Sequence, residues 1–296
     1  MSDADQRMPD QRMTVRRMRF PYPANLKAWW NPARPEFSQV VNAGSLAMPY
    51  LEPYLIETMR KAREKLTDAQ LIAEVDLYIA QEATHYRQHR QFNKRLADLG
   101  YESVPRREAI LKDDYDAFAR ARSFTFNIAY AEGFESMGLA VGNMLIEDRD
   151  YLFRDGDTAV ASLVLWHFVE EIEHKCVTFD VFKALDGRYW WRIYGVLYAT
   201  IHIFGRSRQA YRELLIEDGI WFTLRSRLAL YGLLGRIFLR LTPRLLRIFK
   251  PSYDPRQVED PSWVKEWWRL HREGREGLGE LDMSQLTASV PVARAA

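Results

Sequence analysis

The sequence predicts an all-α protein, with a four-helix bundle core and additional helices towards the C-terminus. Three observations predict it. Apolar residues recur at helical spacing over most of the chain, with almost no sustained strand-like alternation. Helix starts and stops punctuate the pattern, as where Thr67 is followed three residues on by Gln70, and where Gly100 ends a long periodic run. Two of the helical segments, "QEATHYRQHRQFN" and "WHFVEEIEHKCVTFD", each carry Glu-x-x-His.

The elements follow in order. The opening "MSDADQRMPDQRMTVRRMRF" is polar and basic and reads as a disordered arm, and the proline-rich, aromatic "FPYPANLKAWWNPARPEF" reads as an irregular surface segment, so 1–41 stands outside the bundle. The bundle is expected over 42–187. Its first helix starts at 45–49 and runs to 66; the Thr67/Gln70 capping pattern opens a second that runs to 99. A third covers 114–147. After the loop "EDRDYLFRDGD", a fourth covers 157–185 and ends at Asp186-Gly187. Helices at 189–217 and 219–249, the latter interrupted at Pro243, place 188–278 on the bundle or on a membrane surface, and 279–296 reads as a disordered tail.

Composition removes several function classes. Charges nearly balance, at +2 over 296 residues, so no global charge points to nucleic acid. Cys176 stands alone, which excludes an intramolecular disulfide and fits a reducing, cytoplasmic setting. The N-terminus does not resemble a signal peptide, and no apolar run reaches the ~20 residues of a spanning helix. No nucleophile elbow, phosphate-cradling loop or dinucleotide fingerprint occurs.

The histidines and glutamates carry the chemistry. Glu82 and His85 share a helix face, and His89 lies one turn on. Glu171 and His174 repeat the spacing, flanked on the same face by His167 and Glu170. A three-residue step lets one helix offer a carboxylate able to bridge two metals and an imidazole to cap one of them. A dinuclear bundle site then needs one glutamate from each of the two other helices. Helix three offers Glu132 and Glu135 in "AYAEGFES"; helix one offers Glu52 and Glu57 in "MPYLEPYLIE". The expected ligands are Glu52, Glu82, His85, Glu132, Glu171 and His174. Glu57 stands in reserve because Glu52 precedes Pro53, which disfavours helical geometry there. His89, His167, Glu170 and Glu135 are further ligands or supports of the ligands. The plain reading of Glu132 is a buried acid beside an arginine such as Arg122; that of Glu173 is a solvated charge, and that of Cys176 a small core residue.

At "QEATHYRQHRQFN", "AEGFES" and "WHFVEEIEHKCVTFD" the chain resembles the bacterial family of predicted metal-dependent hydrolases, from about Asn42 to "FKPSYDP" near 249–255. The resemblance implies a metal site and hydrolysis. Against the family's expected pattern, Leu51 stands in place of a glycine, Gly133 in place of a histidine, and Tyr253-Asp254-Pro255 in place of a later aspartate- or histidine-bearing motif. The ligand pattern is also similar to that of ferritin-like di-iron carboxylate proteins.

The donor set suits iron first, with manganese or zinc next. Two such ions would activate dioxygen towards a small lipophilic substrate, with an electron donor as partner, or activate water towards an ester or amide; the bundle setting favours the first. A storage or structural bundle that turns nothing over is the non-enzymatic reading. Over 219–250 there is no acid, and Arg236, Arg240, Arg244 and Arg247 recur beside apolar positions, so this stretch either lies on an anionic membrane surface or pairs its arginines with acids elsewhere. Gly133, Gly138 and Gly142 are expected to leave room for a channel.

Overall fold

In the computed structural model, which describes residues 13–270, the described residues form helices and connections without strands. Helices α1 (Pro35–Ser45) and α2 (Met48–Arg63) precede the long α3 (Ala69–Asp98). α3 is opened by Asp68 rather than Thr67: the Asp68 carboxylate accepts from the backbone N–H of Gln70 and Leu71, filling two of the donors that a helix start leaves bare.

The expected third helix is two helices, α4 (Ser103–Ala121) and α5 (Phe124–Glu147). Arg122 is extended, and Ser123 caps α5 through Phe126 N–H at 3.1 Å, a start signal that the continuous apolar periodicity hides. The short α6 (Arg149–Phe153) follows. The expected fourth helix also divides, into α7 (Thr158–Glu173) and α8 (Val177–Leu185), with His174 closing α7 through its N–H to the Glu170 carbonyl. α9 (Tyr189–Glu217) matches its expectation. α10 (Leu224–Ile248) runs through Pro243 without interruption: the carbonyl this proline leaves free is that of Leu239, an exposed position open to water. A 3₁₀ turn (Pro255–Gln257) and α11 (Ser262–Leu270) complete the described chain.

Residues 13–34 form no helix, yet they do not behave as a loose arm or surface segment. Met18, Phe20, Leu26 and Trp30 are buried in the same continuous core that reaches Trp267 in α11. The rest of the expected arm (1–12) and the expected tail (279–296) lie outside the described residues.

α2, α3, α5 and α7 surround the site, α5 packing against both α7 and α2. α9 crosses the outer side of α5 so closely that a Cβ at Gly133 would meet Gly195 backbone at 2.4 Å, and one at Gly195 would meet the Ala129 carbonyl oxygen at 2.0 Å. Gly142 likewise makes room for Phe168. Two of the three glycines expected to open a channel are therefore filled by neighbours; at Gly138 a Cβ would meet only Glu171 Oε2, at 3.6 Å.

Candidate metal centre

The interior between these helices holds two adjoining groups of donors. Glu52, His85 and His167 bring donor atoms within 4.8 Å of one another, and so do Glu82, Glu135, Glu171 and His174; every one of these residues is buried. Glu171 spans both groups. Its Oε1 is 3.2 Å from His167 Nε2 and 3.5 Å from His85 Nδ1, while its Oε2 is 3.4 Å from His174 Nε2. Glu82 does the same through Oε1, 3.6 Å from His85 Nδ1 and 3.3 Å from His174 Nε2.

Glu52 reaches the cluster from inside regular helix. Pro53 removes the N–H that would have bonded the Pro49 carbonyl, and Arg90 Nη2 lies 3.5 Å from that carbonyl instead. The irregular turn expected at Glu52 does not occur.

The neighbours of each imidazole dictate where its proton sits. Gln81 directs its NH₂ to the Thr14 carbonyl and to Glu173, which leaves Gln81 Oε1 to accept from His174 Nδ1–H at 3.1 Å and turns the bare Nε2 into the cluster. His85 Nε2–H donates to Glu170 Oε2 at 3.1 Å, leaving Nδ1 bare. Ser45 gives its only hydroxyl proton to Asn93 Oδ1, so His89 Nδ1 donates to Ser45 Oγ at 2.8 Å. Neutral His89 then accepts at Nε2 from His167 Nδ1–H, 2.9 Å away, and His167 Nε2 faces the cluster unprotonated. Outer hydrogen bonds that orient an imidazole in this way are the usual support of a metal ligand.

The electrostatics of the bare protein are adverse. Both oxygens of Glu52 and Glu82, Glu135 Oε2, His85 Nδ1 and His174 Nε2 are buried without a hydrogen-bond partner. Unpartnered buried carboxylates cost several kcal/mol each. Burial, then the Glu82 charge, pushes the Glu52 carboxyl well up, and burial with the Glu171 charge pushes Glu135 up to about 8. Burial acts to lower His85 and His174, but the surrounding carboxylates outweigh it and hold both well above the ordinary imidazole value. Burial would raise Glu171, but His174, His167 and His85 hold it well below the usual carboxylate range. His89 and His167 are depressed, by burial and by the neighbouring imidazole in each case, in keeping with the neutral forms assigned above. Cations placed among these atoms would remove the strain: four carboxylates offset two divalent charges, and three imidazole lone pairs complete a set of hard and borderline donors. The residues fit divalent metal ions.

The expected ligands divide. Glu52, Glu82, His85, Glu171 and His174 converge. Glu132 does not: its Oε1 accepts from Ser136 Oγ at 2.9 Å, burial raises its carboxyl to about 7, and the charge that opposes this rise is Arg192, not Arg122. Glu135 takes its place, because three residues turn a helix by about 300°, leaving about 60° between the two side chains and about 4.5 Å along the axis. His167 joins the cluster; His89 and Glu170 stand behind it as supports. Glu57 is half exposed and pairs with Lys61 at 3.3 Å. Glu173 is no solvated charge: Arg16 Nη2 donates to it at 2.6 Å in the interior. Cys176 is half-buried and free. Sequence reasoning missed Tyr78, whose hydroxyl donates to Glu135 Oε1 at 2.7 Å, and also Gln81, Ser45, Asn93 and Arg16. Tyr78 and Gln81 lie one turn before Glu82 and His85 on α3, a placement that could have flagged them; Arg16 had no local signal.

Residues 14–259 match the family of predicted metal-dependent hydrolases, and the chain belongs to it. No curated protein and no solved structure matches the chain. Family membership makes the protein a metal-dependent enzyme.

Proposed function

We propose that this member of the predicted metal-dependent hydrolases holds two divalent metal ions between Glu52, Glu82, His85, Glu135, His167, Glu171 and His174, and hydrolyses an ester or amide there. The observation that carries the reading is the convergence of three imidazole nitrogens and four carboxylates on one buried space, with Glu82 and Glu171 each reaching both groups. Bound divalent ions would supply Lewis acidity and a water of lowered pKa.

The chain's own residues do the rest. Gln81, Glu170 and His89 hold the three protons away from the donor nitrogens, at His174 Nδ1, His85 Nε2 and His167 Nδ1. The burial of every donor residue excludes bulk water. The apolar core around the cluster favours a lipophilic substrate.

The sequence-based preference for dioxygen chemistry yields to hydrolysis because family membership supports the latter. One observation favours oxidation as a second reading: the buried Tyr78 phenol donates to Glu135, a placement suited to a one-electron donor. Chelation followed by zinc reconstitution under anaerobic conditions separates the two. Hydrolysis predicts that ester or amide cleavage returns; if activity returns only with iron and dioxygen, the hydrolytic reading fails. Accumulation of iron far beyond two per chain would instead indicate storage.

A further inference from the structure

No described helix is long and apolar enough to cross a membrane, yet α10 exposes an apolar stripe along its whole length. Leu224, Leu228, Tyr231, the adjacent Phe238 and Leu239, and Leu246 are all exposed, otherwise recurring at three-, four- and seven-residue steps with the small Gly235 and Thr242 between. Phe222, 76 % exposed, extends the stripe ahead of the helix. α9 carries a second stripe, in which Trp190, Tyr194, Leu197, Ile201 and Phe204 are exposed. Both helices pack their opposite faces on α1 and α5, so both stripes point away from the same two helices.

The charges beside these stripes are of one sign. From Gly219 to Tyr253 there is no acid and there are seven basic residues; from Gly187 to Arg212 there is again no acid. The acids that meet α10 come from the end of α5 and just beyond it. Arg236 binds Asp148 at 2.6 Å and Arg244 binds Glu147, pairs that fasten the helix to the body on its inner side. Arg225, Arg247 and Lys250 remain exposed. Exposed contiguous apolar surface marks an interaction site. Aromatic and leucine side chains flanked by cations, on a helix too polar to span, are the composition that lies in the headgroup–acyl boundary of an anionic bilayer.

We propose that the α9–α10 face docks on an anionic lipid surface, the α10 stripe entering the headgroup–acyl boundary and the exposed cations meeting lipid phosphates. This inference rests on the surface alone and stands independently of the chemistry assigned to the buried centre.

The test is sedimentation of the full-length protein with vesicles of equal parts phosphatidylglycerol and phosphatidylcholine, and with phosphatidylcholine alone. The protein should pellet with the anionic vesicles, less as salt rises, and much less with the neutral ones. A Leu228→Ser/Phe238→Ser/Leu239→Ser variant should bind the anionic vesicles at least about tenfold more weakly, since each buried apolar side chain removed weakens partitioning. A readout on the unaltered chain guards against misfolding of that variant: brominated lipids should quench tryptophan emission, through Trp190 first. Failure to pellet with anionic vesicles at low salt overturns the proposal. So does a dimer in solution that the triple substitution dissociates while vesicle binding is absent, which would mean that a second copy covers the face.

Discussion

Arg16 Nη1 lies 3.0 Å from Glu170 Oε1, while the other oxygen of that carboxylate lies 3.1 Å from His85 Nε2. A residue of the irregular N-terminal stretch is thereby tied, through one glutamate, to the orientation of an imidazole in the cluster. Arg16 also binds Glu173 and lies over the Trp267 ring at 4.8 Å. Arg16→Ala leaves two buried carboxylates without their counter-charge, and loss of one partner of a buried pair costs about 3–5 kcal/mol. Denaturant unfolding should show a drop of that order. Arg16→Lys, which keeps the charge and loses the fork, should recover part of it.

His89 should matter to metal affinity more than to folding. His89→Phe keeps bulk but removes the acceptor that holds the proton on His167 Nδ1. Loss of such an outer partner weakens metal binding about 10–100-fold. Competition against a chelator measures the change, and an unaltered affinity would mean that His167 does not bind the metal.

Glu132 and Glu135 distinguish the sequence-based ligand set from the structural one. Glu135→Gln should lower metal content, since Glu135 Oε2 faces the cluster and bonds nothing else. Glu132→Gln should leave the content unchanged, since that residue bonds Ser136 and does not converge with the other donors. Elemental analysis of the two purified variants decides. The opposite ranking would place Glu132, not Glu135, at the metal.

The α5–α9 crossing predicts a packing effect without any change in the donors. Gly195→Ala forces a methyl group into the Ala129 carbonyl and should destabilise by at least about 1–3 kcal/mol, read as a lowered melting temperature.

Glu213 provides a pH dependence remote from the cluster. Hydrogen bonding to Arg107, with Arg106 beside it, holds its carboxyl below the usual value. A depressed folded-state pKa contributes stability above the unfolded pKa and loses it as pH falls through the folded one. The pair is partly solvated, so its contribution is under about 1 kcal/mol. Glu213→Gln should lower stability at neutral pH, and the difference from the parent protein should vanish in acid.

What the sequence made legible was local. Two Glu-x-x-His spacings identify one face of each of two helices, and five of the six expected ligands do converge. Thr67 and Asp68 are both plausible caps, and only the hydrogen bonds to Gln70 and Leu71 choose between them. Periodicity alone bridges Arg122-Ser123 and His174-Lys175-Cys176, because apolar residues continue on both sides of each break. The choice between Glu132 and Glu135 depends on how α5 is rotated against α9, which Gly133 and Gly195 set by close approach, a tertiary fact. Arg16 is separated from Glu170 by 154 residues, and no local pattern announces such a partner.

Metal stoichiometry decides whether the buried donors form a two-metal centre: elemental analysis of the protein, purified or reconstituted with iron, manganese or zinc, beside a Glu171→Ala/His174→Ala variant. Close to two ions per chain are expected, with most of the metal lost in the variant because Glu171 reaches both groups of donors. A parent protein that binds no metal after reconstitution, or a variant that retains its full complement, would contradict a two-metal centre.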